Sequence, residues 1–281
     1  MLLGAGARAM EGQRRRLDEI AGDIPGTALL VDVPTRRLIA VHAPDLAGGL
    51  LAPPGSAIKP FTIEALMLAG KLRAGEAFPC PSKLEIGGRS FACSHPVVAA
   101  PMEVRTALAY SCNCFVAHFA ERFAPGELAA HLVRSGLASP SGWLGEREGS
   151  GRIAPAAGRE AQQLQAIGEG GVLVTAAAMA LAYRRLAGRP VGPAAEAIRG
   201  GLEGAVEFGT AQRARVAGVT VAGKTGSVRT GDGATIAWFC GFAPSRAASA
   251  VVVVMLQGRS GGADAAPVAG RILQAHLAGQ L

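Results

Sequence analysis

The chain has 281 residues, of which 49% are hydrophobic and 17% charged, and its formal net charge is +7. This size accommodates one large domain or two small ones with a substantial core, and the composition excludes an intrinsically disordered chain. The basic residues are scattered and lack aromatic partners, which argues against nucleic-acid binding; an anionic wall or membrane surface would also attract this charge. No run approaches the ~18 apolar residues of a membrane-spanning helix, and residues 1–10 lack the charged start of a signal peptide.

The N-terminal part predicts an extension, a hairpin and the start of a helix. Residues 1–23 have the pattern of a polar helical extension. The apolar runs 27–33 and 37–42, joined by a Pro-Thr pair, predict a β-hairpin. A Pro-Pro-Gly break then precedes Ser56, which opens a helical pattern.

The residue pattern in the middle of the chain predicts helices. From about residue 71 to residue 215, helical pieces alternate with Gly/Pro loops. The spacing predicts one helix over residues 102–122 and a second, mostly apolar helix over residues 172–186. The second helix is therefore expected in the core.

After residue 215 the pattern changes to strands. Apolar runs at residues 219–223, 234–242 and 250–257 predict three strands, and residues 266–277 predict a closing amphipathic helix. Strands thus lie at both ends of the chain, and helices fill its middle.

This order predicts an α+β fold with three layers, α/β/α. An antiparallel sheet built from both chain ends is flanked by helices, and a mostly helical lobe is inserted into it. We divide the chain into an N-terminal extension, residues 1–23, and one domain, residues 24–281, with the helical lobe at about residues 72–215.

The five cysteines allow two interpretations. Cys80 and Cys93 flank a short turn-rich stretch and could pair in an oxidising compartment. Cys112 and Cys114 lie in a helical pattern, and a zinc site with Cys93 and His95 is conceivable. Because no dense C-x-x-C or H-x-x-x-H spacing supports it, we expect small buried thiols, no metal and no cofactor.

Ser56 and Lys59 form the first of three short strings that could carry chemistry. Residues three apart on a helix share a face, and a hydroxyl at a helix N-terminus meets free N–H groups that favour developing negative charge. A lysine enclosed by apolar residues has a lowered pKa and can act as a base. Alternatively, Ser56 is an ordinary helix cap and Lys59 a surface residue.

The second string is Ser111-Cys112-Asn113, two polar residues within a largely apolar helical run. Such residues either line a cleft or satisfy buried backbone groups.

The third string is Lys224-Thr225-Gly226, which follows an apolar strand and continues as Ser227. A cation, a hydroxyl and an unobstructed backbone at a strand edge suit the terminal carboxylate of an extended peptide. An ordinary hairpin is the alternative.

The composition of the chain strengthens the functional interpretation of the three strings when they are considered together. The chain has 28 basic residues but only four lysines, and Asn113 is its sole asparagine. Two of the lysines, Lys59 and Lys224, and that asparagine fall on the strings, which are separated by 55 and then 113 residues. Arginine could not replace a titratable amine, because a guanidinium stays protonated.

In this order the strings resemble the signature of the serine penicillin-binding protein and β-lactamase superfamily. The likeness spans residues 26–277 and is closest to the transpeptidase domain of class B penicillin-binding proteins. It implies a β-lactamase/transpeptidase-like fold. The sequence departs from the pattern at Ser227, usually threonine, and at Thr175-Ala176, usually Thr-Pro. The similar segments are Leu51–Phe61, Ala107–Phe115, Ile167–Gly170, Val174–Thr175, Phe208–Ala211, Ala222–Ser227 and Trp238–Pro244.

The resemblance implies a role for each motif residue. Lys59 would take the proton of Ser56, which attacks the carbonyl of a D-Ala-D-Ala terminus or a β-lactam, and Ser111 would pass a proton to the leaving nitrogen. Asn113 would hold the substrate amide. The implied catalytic residues are Ser56, Lys59, Ser111, Asn113 and Lys224, and the implied substrate-binding residues are Thr225, Gly226 and Ser227.

The resemblance favours a D,D-transpeptidase that acts on peptidoglycan stem peptides. A D,D-carboxypeptidase, a serine β-lactamase and a β-lactam sensor that acylates without turnover are the alternatives. The Glu-x-x-Leu-Asn loop of class A β-lactamases is absent, because Asn113 is the only asparagine and Glu160 is followed by Ala-Gln-Gln; a carbamylated Lys59, as in class D, stays possible. The implied location is extracytoplasmic, in the periplasm or on the outer face of the cell membrane, with cell-wall or membrane-associated partners, although no export signal is evident.

Overall fold

The computed structural model describes residues 2–93, 95–96 and 100–281, with backbone alone for residues 2–10 and 147. Met1, the first residue of the predicted extension, lies outside this range. The helices are α1 (Leu2–Ala21), α2 (Pro44–Gly49), α3 (Lys59–Leu68), α4 (Val104–Ala109), α5 (Asn113–Ala120), α6 (Glu127–Arg134), α7 (Arg159–Ile167), α8 (Ala176–Ala187), α9 (Pro193–Glu207) and α10 (Ala266–Leu277). The strands are β1 (Gly26–Asp32), β2 (Leu38–His42), β3 (Lys83–Ile86), β4 (Arg89–Ala92), β5 (Arg152–Ile153), β6 (Val172–Leu173), β7 (Ala222–Arg229), β8 (Thr235–Ala243) and β9 (Ala250–Gln257).

A five-stranded antiparallel sheet with the order β2-β1-β9-β8-β7 forms the centre of the molecule. Strands from both chain ends build it, as predicted, because β1 pairs with β9 in register from Gly26–Leu256 to Asp32–Ala250. The central strand β9 is apolar on both faces. Val251 and Val253 point into one hydrophobic core and Val252 and Val254 into the other, as the alternation of side chains along a strand requires.

Helices cover both faces of this sheet. The N-terminal helix α1 and the C-terminal helix α10 pack on one face, where Leu17 and Ile272 are fully buried. Helix α8 and the helical lobe pack on the other face, where Phe61, Phe115 and Tyr183 are buried. The predicted α+β, three-layer fold is confirmed. The division into residues 1–23 and residues 24–281 stays a prediction.

The single helix predicted over residues 102–122 is wrong. The chain forms α4 and α5 instead, because Ser111 between them has a left-handed backbone with φ of 57°. A non-glycine residue seldom adopts this conformation. The sequence pattern did not reveal it, since apolar residues continue at helical spacing on both sides of the break.

Two further boundaries differ from the prediction. The helix predicted over residues 172–186 begins with the short strand β6, and α8 starts only after Thr175, whose hydroxyl accepts a hydrogen bond from the Ala178 N–H as an N-cap. The strand predicted at residues 219–223 is displaced: β7 starts at Ala222 and runs on to Arg229. Lys224, Thr225 and Gly226 therefore lie inside a strand, not after one.

Candidate active site

Ser56 lies in a short 3₁₀ turn, Gly55–Ile58, that leads into α3. The turn is held from two sides: the Gly55 N–H donates to the carbonyl of Gly168 at 3.1 Å, and the indole N–H of Trp238 donates to the Pro53 carbonyl at 3.0 Å. The predicted helix start is thus a tight turn, in which Ser56 caps no helix. Among the described residues, the Ser56 hydroxyl has no hydrogen-bond partner, so it is not engaged in a structural role.

Strand β7 passes directly over the Ser56 turn. A Cβ atom at Gly226 would lie 2.5 Å from the Pro54 carbonyl oxygen and 3.1 Å from the Ala57 nitrogen. Only glycine permits this approach of two backbones. The first and third motifs are therefore in contact although 170 residues of sequence separate Ser56 from Gly226.

Lys59 is fully buried and connects the first motif to the second. Its ammonium donates to the Asn113 side-chain oxygen at 2.6 Å and to the Ser111 carbonyl at 2.7 Å, and it lies 3.4 Å from the Ser111 hydroxyl. The left-handed backbone of Ser111 places both its carbonyl and its hydroxyl toward this amine. The surface position considered for Lys59 is excluded.

Burial decides the protonation of Lys59. It lowers the pKa of the amine from 10.5 to about 8, since a charged group loses hydration in an apolar interior. At pH 7 about a tenth of the molecules would then carry a neutral amine. An amine in this state can accept a proton from a hydroxyl one helical turn away.

Lys224, on β7, is the second fully buried amine. It donates to the Ser111 hydroxyl at 2.8 Å and to the Thr225 carbonyl at 3.1 Å. Burial lowers its pKa well below the usual value, and the nearby Lys59 ammonium adds to the effect. The Ser111 hydroxyl thus lies between two amines that repel each other when both are charged.

Strand β7 also carries two hydroxyl groups, those of Thr225 and Ser227. β7 is an edge strand, so the backbone groups along its outer side face no partner strand in the part of the chain that the structure describes. The Thr225 hydroxyl is 2.8 Å from that of Thr210, and the Ser227 hydroxyl accepts a hydrogen bond of 2.9 Å from the Gly261 N–H. Ser227 keeps the hydroxyl of the threonine that the family pattern has, and here that hydroxyl holds the strand to the turn after β9.

An open groove of about 560 Å³ adjoins the Ser56 turn. Pro53 and Val228 line it together with three arginines. Glu169 also lines it and forms an ion pair of 2.7 Å with Arg89. The cationic residues of the groove are Arg89, Arg152 and Arg229.

Four residues that support the site carry no signal of their own in the sequence. Thr210 belongs to the segment Phe208–Ala211, and Gly168 to the segment Ile167–Gly170; both segments were recognised only as a likeness. Trp238 belongs to the segment Trp238–Pro244 and Glu169 to Ile167–Gly170, which were recognised in the same way. Their roles depend on contacts with residues far away in the sequence, which no local pattern contains.

A cluster of thiols lies beside the second motif. All five cysteines are free, and the Cys80 and Cys93 sulfurs, which could have paired, are 3.7 Å apart and not bonded. The sulfurs of Cys80, Cys93 and Cys112 and a ring nitrogen of His95 all lie within 4.8 Å of one another. Among the described residues, these four are the ones whose arrangement could hold a metal ion.

Comparisons with known proteins identify the family of the chain. The family model described as the penicillin-binding protein transpeptidase domain matches residues 51–274. The chain belongs to this family, whose members are serine acyl-transferases of the penicillin-binding type. A search of curated proteins found no match.

Among solved structures, the chain is similar to PBP2 of Pseudomonas aeruginosa in complex with WCK 5153. The TM-score is 0.82 at 19% sequence identity, over 94% of this chain and 76% of that one. At this identity the likeness demonstrates the fold. Among the described helices, none is long and apolar enough to cross a membrane.

Proposed function

We propose that the chain is a serine D,D-transpeptidase that acts on the D-Ala-D-Ala ends of peptidoglycan stem peptides through an acyl-enzyme on Ser56. One observation carries the proposal: two fully buried amines, Lys59 and Lys224, converge on the hydroxyl of Ser111 beside the Ser56 turn. A structural ion network would pair these amines with carboxylates, whereas here they meet neutral acceptors. Such an arrangement is suited to moving protons.

The geometry supports a sequence of proton transfers. The neutral amine of Lys59 takes the Ser56 proton, and the oxygen attacks the carbonyl of the penultimate D-Ala. The backbone N–H groups of Ser56 and Ser227 would stabilise the oxyanion, an effect worth roughly 3–4 kcal/mol for each donor. Ser111 then gives its proton to the leaving D-Ala nitrogen and regains one from Lys59 or Lys224. The products of this half-reaction are D-Ala and an ester on Ser56.

The second half-reaction decides the activity. In transpeptidation, an amine from a neighbouring stem peptide attacks the ester, loses a proton to the same network and releases Ser56. The carboxylate of the departing D-Ala is expected at Lys224 and Thr225, where a cation and a hydroxyl meet at the edge of β7. The arginines of the groove would attract the acidic side chains of a stem peptide.

A β-lactam would form the same ester, because its strained amide occupies the position of the D-Ala-D-Ala bond. This substrate class places the proposed activity outside the cytoplasm. The test is covalent labelling of the full chain with a fluorescent penicillin. We expect labelling of the unaltered chain and of Ser139→Ala, a loop variant that serves as the control, and none of Ser56→Ala. Equal labelling of Ser56→Ala and the control would refute the assignment.

The products of turnover distinguish transfer of the acyl group to an amine from hydrolysis of the acyl-enzyme. With a D-Ala-D-Ala pentapeptide and a D-amino acid as acceptor, a transpeptidase releases D-Ala and forms the exchanged peptide, which mass spectrometry separates. Rapid multiple turnover of nitrocefin would instead identify a β-lactamase.

One observation favours hydrolysis as a second candidate function. Glu169 directly follows Gly168, whose carbonyl binds the Ser56 turn, and its carboxylate borders the groove with only 16% of the side chain exposed. A carboxylate in this position could activate water against the acyl-enzyme, giving carboxypeptidase action.

A further inference from the structure

The geometry of the thiol cluster is that of a tetrahedral metal site. With Zn–S bonds of ~2.3 Å and a Zn–N bond of ~2.0 Å, a regular tetrahedron has S–S edges of about 3.8 Å and S–N edges of about 3.5 Å. The S–S distances of Cys112 and Cys93 to Cys80 are 3.4 and 3.7 Å, and the distance between Cys93 and Cys112 is 3.8 Å. His95 Nε2 lies 3.5 Å from the Cys80 sulfur. Disulfide sulfurs would be at ~2.05 Å.

The hydrogen bonds around the cluster orient these atoms as ligands. His95 Nδ1 lies 2.8 Å from the Pro96 carbonyl, which can only accept, so Nδ1 carries the proton and Nε2 presents its lone pair to the sulfurs. The backbone N–H groups of Ser82 and Phe115 donate to the sulfurs of Cys80 and Cys112, both at 3.4 Å. A backbone N–H that donates to a sulfur favours its deprotonated form, which is the form that binds metal.

We propose that Cys80, Cys93, His95 and Cys112 bind one Zn²⁺ ion. Thiolate and imidazole ligands in a tetrahedron select zinc among the common biological divalent ions. Each thiol releases its proton to solvent as it binds. Cys80, Cys93 and His95 are partly exposed, which gives the ion a path from solvent. This inference departs from the expectation of simple buried thiols, because the ligands lie in three separate segments that only the fold brings together.

The position of the metal site indicates a structural role for the ion. Cys80 precedes the hairpin β3–β4, Cys93 follows it, and Cys112 stands between Ser111 and Asn113. An isolated two-stranded hairpin is only marginally stable in water. Zinc would anchor this hairpin to the left-handed turn whose Ser111 and Asn113 bind Lys59. The ion therefore has a structural role: it positions the proton-transfer network. This part of the inference rests on the proposed function.

Cys114 provides a matched control. Its sulfur is 3.5 Å from that of Cys93 but does not belong to the group of four that lie within 4.8 Å of one another. We expect about one zinc ion per chain, by elemental mass spectrometry, in the unaltered chain and in Cys114→Ser. Cys93→Ser and His95→Gln should lose most of it. Because His95 is at the surface, His95→Gln tests the site without disturbing the core.

Cobalt gives an independent readout. Co²⁺ added to the zinc-free chain should produce thiolate-to-cobalt charge-transfer absorption, weakened in Cys93→Ser and unchanged in Cys114→Ser. An unaltered chain that retains no zinc after incubation with excess Zn²⁺ and gel filtration would overturn the site. Loss of zinc in Cys114→Ser but not in His95→Gln would overturn this set of ligands.

Chelation tests the link to catalysis. Removing zinc should slow labelling by fluorescent penicillin about 10- to 100-fold, since a displacement of about 1 Å in a catalytic group has effects of this size, and added zinc should restore it. Unchanged labelling after zinc removal would refute the positioning role. A chain that binds zinc but is never labelled would refute the proposed function while the metal site stands.

Discussion

The Lys224 ammonium donates a hydrogen bond of 2.8 Å to the Ser111 hydroxyl, although 113 residues separate them in the sequence. Because Lys59 is 3.4 Å from the same hydroxyl, Ser111 is the point at which all three motifs meet. Ser111→Ala should leave the fold intact and reduce acylation about 10²-fold, the usual contribution of one positioned proton donor. The rate of labelling by fluorescent penicillin measures it. A variant that reacts as fast as the unaltered chain would exclude Ser111 from proton transfer.

The pH dependence of acylation follows from Lys59. Its pKa is lowered to about 8, first of all by burial, and in the proposed mechanism the deprotonated amine is the active base. Acylation should therefore rise about tenfold from pH 6 to pH 7 and level off above about pH 9. Labelling rates across this range, with circular dichroism to verify the fold, give the profile. A rate that falls as the pH increases would contradict Lys59 as the base.

Replacing Lys59 by arginine tests whether the side chain is needed as a proton acceptor or only as a positive charge. Lys59→Arg keeps the positive charge but cannot accept a proton, so acylation should fall by about 10²–10⁴-fold. Lys83→Arg is the matched control, because the Lys83 side chain is exposed on strand β3 and pairs only with Glu85 among the described residues. A comparable loss in both variants would indicate a general effect of the substitution.

Gly226 tests the contact between β7 and the Ser56 turn. In Gly226→Ala the new methyl group would meet the Pro54 carbonyl oxygen, and overpacking of this kind costs about 1–3 kcal/mol. We expect a lower melting temperature together with slower acylation. Gly231→Ala, at a position open to solvent, should change neither. If Gly226→Ala is acylated as fast as the unaltered chain, the close contact between β7 and the Ser56 turn is not needed for acylation.

Glu169 distinguishes the two candidate activities. If water receives the acyl group, Glu169→Gln should prolong the life of the acyl-enzyme about 10²-fold and leave its formation unchanged. Arg89→Gln breaks the same ion pair but keeps the carboxylate, and so it controls for the loss of the salt bridge. Decay of the penicillin label, followed by gel fluorescence, measures both. An identical decay rate in Glu169→Gln and the unaltered chain would remove Glu169 as the base.

The sequence alone determined that the main sheet is built from both chain ends around a mostly helical middle, and it located the three motifs. The apolar runs of the C-terminal strands and the amphipathic pattern of residues 266–277 are local properties, and α10 has the predicted bounds. The scarcity of lysine and asparagine marked Lys59, Asn113 and Lys224 because composition is visible without a structure.

The tertiary structure decided the geometry of the site. The break at Ser111 depends on a left-handed backbone that the surrounding contacts stabilise, against the helical pattern of its neighbours. The displacement of β7 places Lys224 inside the sheet, where burial lowers the pKa of its amine. Cys80, Cys93 and Cys112 come together only because the hairpin β3–β4 folds back onto the turn before α5. Contacts between residues that are distant in the sequence produce each of these features, and no local pattern records such contacts.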